Sequence, residues 1–355
     1  MTPPVSVLVP VFNVERYLGE CLDSLVAQTL PGLEIVCVDD GSTDGSRDIL
    51  EEYAGRLPGM KILTGPNGGY GKAMNRALAA ATGEFVGIVE PDDYVEPDTF
   101  ADLYRTAAEN GLDFVKADFD RFRDGPRGRT FVREALDRTG RHYGEIFDPS
   151  ATPHAIRFEM NTWTGVYRRS FLEEFRIRHH ETPGASFQDN GFWWQTFVRG
   201  RRAMLVPRVH YHNRRDNPGS SVYDPGKVFA MNAEYDWIRS FLEEDPAVWE
   251  RFRGVFWWAK FKNYRFRFGH VADSRRLEFA RRFGAEFREG LRRGEIVLSE
   301  FNFPERVLLR LYACGAVAAA ERARRVVPSF VRRPLSSALA PAVKSARRLV
   351  RRLFP

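Results

Sequence analysis

Along the first ninety or so residues, two hydrophobic patterns alternate. Val5-Ser6-Val7-Leu8-Val9-Pro10-Val11 is a nearly continuous β-branched run, the pattern of a strand covered on both faces. It gives way to Tyr17, Leu18, Cys21, Leu22, Leu25 and Val26, recurring at three and four, an amphipathic helix that Pro31-Gly32 ends. Leu33 to Val38 predicts a second buried strand, followed by Asp39-Asp40-Gly41-Ser42-Thr43-Asp44-Gly45, where Ser42 or Thr43 is placed to cap a helix through Ile49, Leu50 and Tyr53. Met60 to Leu63 predicts a third strand, the glycine-rich loop Gly65 to Gly71 opens a helix from Lys72 to Ala81, and Phe85 to Val89 predicts a fourth strand. Strand and helix in regular alternation predict an α/β fold with a mostly parallel open sheet and helices on both faces.

The fourth strand runs into Glu90-Pro91-Asp92-Asp93-Tyr94. In an open α/β sheet, ligands bind outside the carboxyl ends of the strands, and carboxylates held there can grip a divalent cation that in turn holds phosphates. The same acids also suit a turn leading into a helix from Tyr94 to Asn110. Asp113 to Ala117 predicts a strand, whereas residues 118 to 152 show no pattern. Asn161 to Arg169 is strand-like, Ser170 is placed to cap a helix from Phe171 to Phe175, and Asp189 sits among aromatics just before a helix from Gly191 to Val198. Met204 to Tyr211 predicts a further strand, followed by a polar loop, Arg214 to Ser221. From about Pro225 the chain turns helical and aromatic, with Trp249, Phe252, Phe256, Trp257, Phe261 and Tyr264 stepping at three to five. The expected organisation is a ligand-binding domain over 1–224, a helical region over 225–321 and a tail over 322–355.

Charge changes this picture at one end. Residues 322–355 hold ten Lys and Arg and no acid, and removing those ten from 53 leaves 43 basic against 47 acidic residues in the body. A mildly acidic body argues against nucleic acid as a partner. From Ala342 onward, Lys344, Arg347, Arg348, Arg351 and Arg352 alternate with Val343, Leu349, Val350 and Leu353, the pattern of a short helix that lies on an anionic leaflet. The longest apolar run, Leu311 to Ala320, is ten residues, short of the roughly 20 that cross a bilayer. Three scattered cysteines, Cys21, Cys37 and Cys314, suit neither a zinc site nor a disulfide framework. With Met1-Thr2-Pro3-Pro4 leading directly into a strand, the expected location is cytoplasmic, peripheral at the inner face of the membrane.

Two phosphate-binding motifs are excluded. The position after the first strand, where a dinucleotide fold carries G-x-G-x-x-G, reads Pro10-Val11-Phe12-Asn13, and Gly65 to Lys72 misses the G-x-x-x-x-G-K-[ST] loop by one residue of spacing and by Ala73 in place of the hydroxyl. What does fit is the succession of four features: Val7 to Asn13, Val38 to Asp44, Asn67-Gly68-Gly69 leading to Asn75, and the acids after the fourth strand. Over roughly residues 5 to 223 these resemble glycosyltransferase family 2, inverting enzymes with a nucleotide-diphospho-sugar transferase fold of the GT-A type.

The resemblance implies roles residue by residue. Asp40 would accept from the edge of the nucleotide base, with Pro10 lining that pocket. Asn67 and Gly68 would let backbone approach the nucleotide, and Phe12, Asp39, Lys72 and Glu90 would complete the donor site. Glu90 stands where the family has the first Asp of a D-x-D motif, one methylene longer. Asp92, the second acid of that motif, would bind Mn²⁺ or Mg²⁺ bridging the donor phosphates, with Asp93 nearby. Asp189 would be the general base, Gln188 replacing the acid before it, and Arg214 and Ser220 would lie in a loop over the diphosphate. His210 and His212 share one face of their strand at i, i+2 spacing, which makes His212 a candidate third metal ligand. Trp163, Trp193 and Trp194 are candidates for stacking on acceptor sugars or for the core.

The partners implied are a nucleoside-diphosphate sugar, foremost a UDP-sugar, and the hydroxyl of a glycan, polyol or lipid-linked acceptor. A nucleotidyltransferase needs a glycine-rich, basic loop after the first strand, and Phe12-Asn13-Val14-Glu15 has neither character. A non-catalytic binding module of the same fold has only Glu90 and Gln188 in its favour.

Overall fold

The computed structural model describes residues 2–219 and 227–317; Ser220 and the basic segment 322–355 lie outside them. The chain divides into two compact units, Met1–Val248 and Trp249–Pro355.

In the first unit, β1 (Val5–Val11) is buried along its whole length, as its unbroken apolar run requires, and β2 (Glu34–Asp39) likewise. β1 pairs in parallel with β2 and with β4 (Phe85–Ile88), and β2 in parallel with β3 (Met60–Thr64). Between them lie α1 (Glu15–Val26), α2 (Ser46–Ala54) and α3 (Tyr70–Ala80). α1 buries Leu18, Cys21, Leu22 and Leu25, the predicted stripe, while α3 packs on β1 and β2. α2 begins later than its sequence suggests. Gly45 precedes it without a side-chain cap, and Ser42 instead donates its N–H to Asp39 Oδ1 at 2.9 Å, closing the turn at the strand end.

Beyond β4 the sheet becomes mixed. β5 (Tyr94–Val95) pairs antiparallel with β9 (Ala203–Arg214), which shortens the predicted helix to α4 (Thr99–Glu109). β6 (Phe114–Arg123) runs past its expected end and pairs with β7 (Thr130–Glu134), β8 (Gly165–Arg168) and β9. The order β3-β2-β1-β4-β8-β6-β9-β5, with β7 on the outer side of β6, has four parallel and four antiparallel pairings. The β6–β9 register slips around Asp118, a bulge of the kind that re-aims side chains near functional sites. α5 (Arg169–Glu174) follows β8, and α6 (Gln188–Arg199) starts three residues earlier than its apolar periodicity does. α7 (Ala230–Glu243) packs on α6. The contact is close at Gly191, where an added Cβ would lie 2.1 Å from the Trp237 ring.

The second unit is built by α8 (Pro246–Phe268), α9 (Asp273–Arg292) and α10 (Phe303–Ala313). The aromatic residues of α8 meet those of α9: Phe261 and Tyr264 lie edge-on to Phe283, which stacks on Tyr312 of α10 at 4.5 Å. Lys260 is buried here and pairs with Glu286 at 2.9 Å. An Asn302–Glu305 capping box starts α10.

Candidate functional site

The acids after β4 form a tight turn in which the Asp93 N–H donates to the Glu90 carbonyl at 3.0 Å. The short β5–β9 ladder lays the end of β9 against this turn. Asp93 is 1% exposed and accepts from the Tyr211 hydroxyl at 2.8 Å, the Asn213 amide at 3.0 Å and the Arg214 N–H at 2.7 Å. The Tyr211 oxygen in turn accepts the Glu90 N–H at 2.9 Å. A carboxylate with three donors is satisfied within the protein, and Asp93 thereby fixes the turn.

Arg214 sits behind this turn. Its guanidinium, 3% exposed, pairs with Glu20 at 2.5 Å and Asp124 at 2.6 Å, lies over the rings of Tyr17 and Phe122, and donates from Nε to the Asp92 carbonyl at 3.0 Å. Asp92 and Glu90 are half-buried. Asp92 Oδ2 accepts from Asn217 Nδ2 at 2.7 Å, and burial raises its carboxyl above the usual range despite that bond. Glu90 Oε1 accepts from the Tyr70 hydroxyl at 2.7 Å; burial, with the charges of Asp92 and Asp189 nearby, pushes its carboxyl up to about 8.

The loops after β1, β2 and β3 meet at one end of the sheet. Asp40 is buried, its two carboxylate oxygens accepting the N–H groups of Gly68 at 3.0 Å and Gly69 at 2.8 Å. Asp40 thus clamps the 67–69 loop onto the end of β2. Gly69 has φ +89° and Gly41 φ +80°, conformations that side chains disfavour, and a Cβ on Gly41 would lie 2.9 Å from Asn67 N. Asn13, also left-handed at φ 51°, accepts the Thr43 N–H at 2.8 Å and ties the loop after β1 to the loop after β2. Pro10 is buried beneath, Phe12 is 45% exposed at the rim, and Asn67 and Lys72 are exposed.

The opposite wall carries Asp189 in the first turn of α6. Phe187, left-handed at φ 67°, turns the chain into the helix, and Gln188 reaches back, its amide donating to Thr182 Oγ1 at 2.8 Å and to the Gly184 carbonyl at 3.0 Å. Asp189 Oδ1 accepts the Asn190 N–H at 3.0 Å; burial, and the charge of Glu234 on α7, push its carboxyl up to about 6. Glu234 accepts from Gly191 N–H at 2.8 Å and from His180 Nδ1 at 2.9 Å. The charges of Asp92 and Asp189 both act on the Glu90 carboxyl.

His212 stands apart from this group: it stacks on Tyr94 at 4.4 Å and bonds Glu96 at 2.7 Å. His210 faces Asp98 and Asp102. Trp193 and Trp194, 1% exposed, belong to the core, whereas Trp163 is half-buried and stacks on Tyr211 at 4.3 Å. Among the described residues no group of three His, Cys, Asp or Glu converges as a cation site. With Asp93 satisfied by protein donors, Asp92 is the acid of this turn that would hold a cation.

The sequence reading missed Tyr70, Tyr211, Asn213, Asn217 and Glu234. One signal was present: alternation along β9 that pairs His210 with His212 also pairs Tyr211 with Asn213, and both of these reach Asp93. Nothing in the helical pattern of 230–243 singles out Glu234.

Comparisons with known proteins agree with this architecture. The model of Glycosyl transferase family 2 matches residues 6–193. Glycosyltransferase GlyG of Streptococcus pneumoniae serotype 4 is 35% identical over 255 residues, 68% of this chain and 78% of that protein. Uncharacterized glycosyltransferase EpsJ of Bacillus subtilis is 33% identical over 228 residues, 64% of this chain and 65% of its own length. The poly(ribitol-phosphate) beta-glucosyltransferase of Bacillus spizizenii is 41% identical over 232 residues, which are 63% of this chain and 35% of that protein. The chain thus spans less than two thirds of the length of several such relatives. Among solved structures, S. aureus TarS 1–349 in complex with UDP-GlcNAc matches with a TM-score of 0.69 and 21% identity, over 92% of this chain and 91% of that one, a likeness of fold. By the span of the family model and the identity to GlyG, the chain belongs to glycosyl transferase family 2.

Proposed function

We propose that this chain transfers a sugar from a nucleoside-diphosphate sugar, foremost a UDP-sugar, to an acceptor hydroxyl with inversion at the anomeric carbon, in the assembly of a cell-surface glycan. The observation that carries this reading is Asp189 in the first turn of α6, its charge acting on the Glu90 carboxyl and its own carboxyl pushed up to about 6 by burial and by Glu234. A base of that strength is matched to neutral pH, where it is ionised yet holds a proton better than a free carboxylate.

In a single displacement the acceptor oxygen forms its bond to the anomeric carbon as the bond from that carbon to the diphosphate oxygen breaks. The nucleoside diphosphate leaves with the electron pair, and Asp189 takes the acceptor proton. Asp40 holds the Gly68–Gly69 backbone where a nucleotide can approach it, with Pro10, Phe12, Asp39, Asn67 and Lys72 around the donor. Asp92 would hold Mn²⁺ or Mg²⁺ against the donor phosphates, where the cation supplies charge stabilisation to the leaving group. Asp93 and Arg214 fix the turn that presents Asp92. In this reading residues 1–224 carry the donor and base side chains, and the basic segment 322–355 supports work at an anionic leaflet on a lipid-linked or glycan acceptor.

The test is release of nucleoside diphosphate from a panel of UDP-, GDP-, dTDP- and CDP-sugars with and without Mn²⁺, followed by NMR assignment of the product anomer. Cation-dependent release from one donor class and an inverted product are expected. A retained configuration would overturn the single displacement, and no release from any donor would overturn the transferase reading.

A further inference from the structure

Tyr70 is the first residue of α3, directly after the Gly68–Gly69 pair that Asp40 clamps. Three elements of the site meet on it. Its N–H donates to the Gly184 carbonyl at 3.1 Å, its ring stands edge-on to His179 at 5.6 Å, and its hydroxyl donates to Glu90 Oε1 at 2.7 Å. The backbone around it has no slack. A Cβ on Gly69 would lie 2.7 Å from the Thr182 carbonyl oxygen, and one on Gly71 would lie 2.0 Å from that of His180. The 180–184 loop therefore seats directly on the start of α3, and Gln188 ties the same loop to the turn that carries Asp189. Asn75, one turn further along α3, exchanges hydrogen bonds with His179 at its N–H and carbonyl, both at 2.9 Å. Tyr70 is thus held on its backbone and ring by neighbours while its hydroxyl reaches Glu90.

We propose that Tyr70 is a positioning residue for sugar transfer: its hydroxyl fixes the Glu90 carboxyl group, and so makes position 90 specific for glutamate. An aspartate there, shorter by one methylene, would stop about 1.5 Å short of the hydroxyl. Glutamate and tyrosine are in this sense one device, in which the longer acid is usable because a phenol restrains its extra rotatable bond. A free side chain of that length in the cleft would sample several rotamers, and restraining it removes an entropic cost at each turnover. The proposal rests on the transferase reading given above.

The full chain is compared with Tyr70→Phe, Glu90→Asp and the double variant, using the donor that the panel identifies, with Mn²⁺. Tyr70→Phe keeps the ring and its contact with His179 and removes only the hydroxyl. Its kcat is expected to fall about tenfold, the scale of one hydrogen bond, with the donor KM changed less than about twofold. Glu90→Asp is expected to lose a similar factor. The double variant is expected to be no slower than the slower single variant, because either change alone already breaks the same contact. UDP binding by calorimetry should survive in all three.

Unaltered kcat in Tyr70→Phe, or losses that multiply in the double variant, would overturn the proposal. Loss of UDP binding in Tyr70→Phe would also overturn it, by assigning the tyrosine to the integrity of the donor loop. An unsubstituted chain that releases nucleoside diphosphate from no donor defeats the transferase reading first, and this proposal with it.

Discussion

The Tyr211 hydroxyl donates to the Asp93 carboxylate at 2.8 Å while its oxygen accepts the Glu90 N–H at 2.9 Å, so one phenol on β9 closes both ends of the acid turn after β4. The turn that presents Glu90 and Asp92 is therefore held from a strand more than a hundred residues away.

Tyr211→Phe removes that link and leaves a buried carboxylate and a backbone N–H each one partner short. A loss of about 1–3 kcal/mol is expected, which for a unit of this size lowers Tm by about 2–6 °C. Scanning calorimetry checks it, and a Tm within one degree of the parent would show that the turn is held by Asn213 and Arg214 alone.

Asp92→Asn is expected to abolish the Mn²⁺ dependence of donor binding and to leave Tm nearly unchanged, since this half-buried side chain bonds only Asn217 among the described residues. Titration with UDP in the presence and absence of Mn²⁺ decides the matter. Unchanged affinity and unchanged cation dependence in the variant would remove Asp92 from the cation site.

Asp189→Asn should keep UDP binding and slow transfer by about 10²–10⁴-fold, the range for a lost general base. The parent rate carries a pH signature of known sign. The base works ionised, so with its carboxyl pushed up to about 6, kcat/KM rises with pH through that value and levels off above it. A profile flat from pH 5 to 8 would point to some other proton acceptor.

Glu34 offers a test of stability rather than rate. Burial raises its carboxyl, but the bonds from Lys61 at 2.5 Å, from Ser6, and from Thr82 at 2.8 and 2.7 Å outweigh this and bring it from 4.5 to about 2. The folded value lies below the unfolded one, so the contribution is fully present above about 4.5 and is lost as pH falls from there toward 2. Glu34→Gln is expected to cost about 1–3 kcal/mol at pH 7 and progressively less toward pH 3. Urea unfolding at the two pH values measures the difference, and a pH-independent cost would assign the effect to packing.

The parallel half of the sheet was legible because β1, β2 and β4 are covered on both faces and their sequences say so without interruption. β7 was not, because Thr130-Phe131-Val132-Arg133-Glu134 is an exposed edge whose alternation separates no inside from outside. The stretch before it hid for a different reason: β6 continues through Asp118 and Asp120, and Asp118 is buried only because Tyr143, Leu136 N–H and Arg133 supply its partners. Those partners come from 133–143, a segment with no pattern of its own. Asp40 and the Gly68–Gly69 pair stand out in the sequence, but the position of Arg214 does not. In sequence it opens a polar loop, and in the fold its guanidinium is buried among Glu20, Asp124, Tyr17 and Phe122.

The Trp237 ring occupies the space that a side chain at position 191 would need, and its neighbour Glu234 accepts the Gly191 N–H. Both belong to α7, beyond the end of the family match at residue 193 and beyond residue 224, where the sequence changes character. A fragment trimmed to either point would strip the support from the start of α6 and leave His180 without its carboxylate. A piece of this chain meant to keep the start of α6 must therefore include Trp237, a residue that looks, in sequence, like part of an appendage, and with it α7 through Glu243.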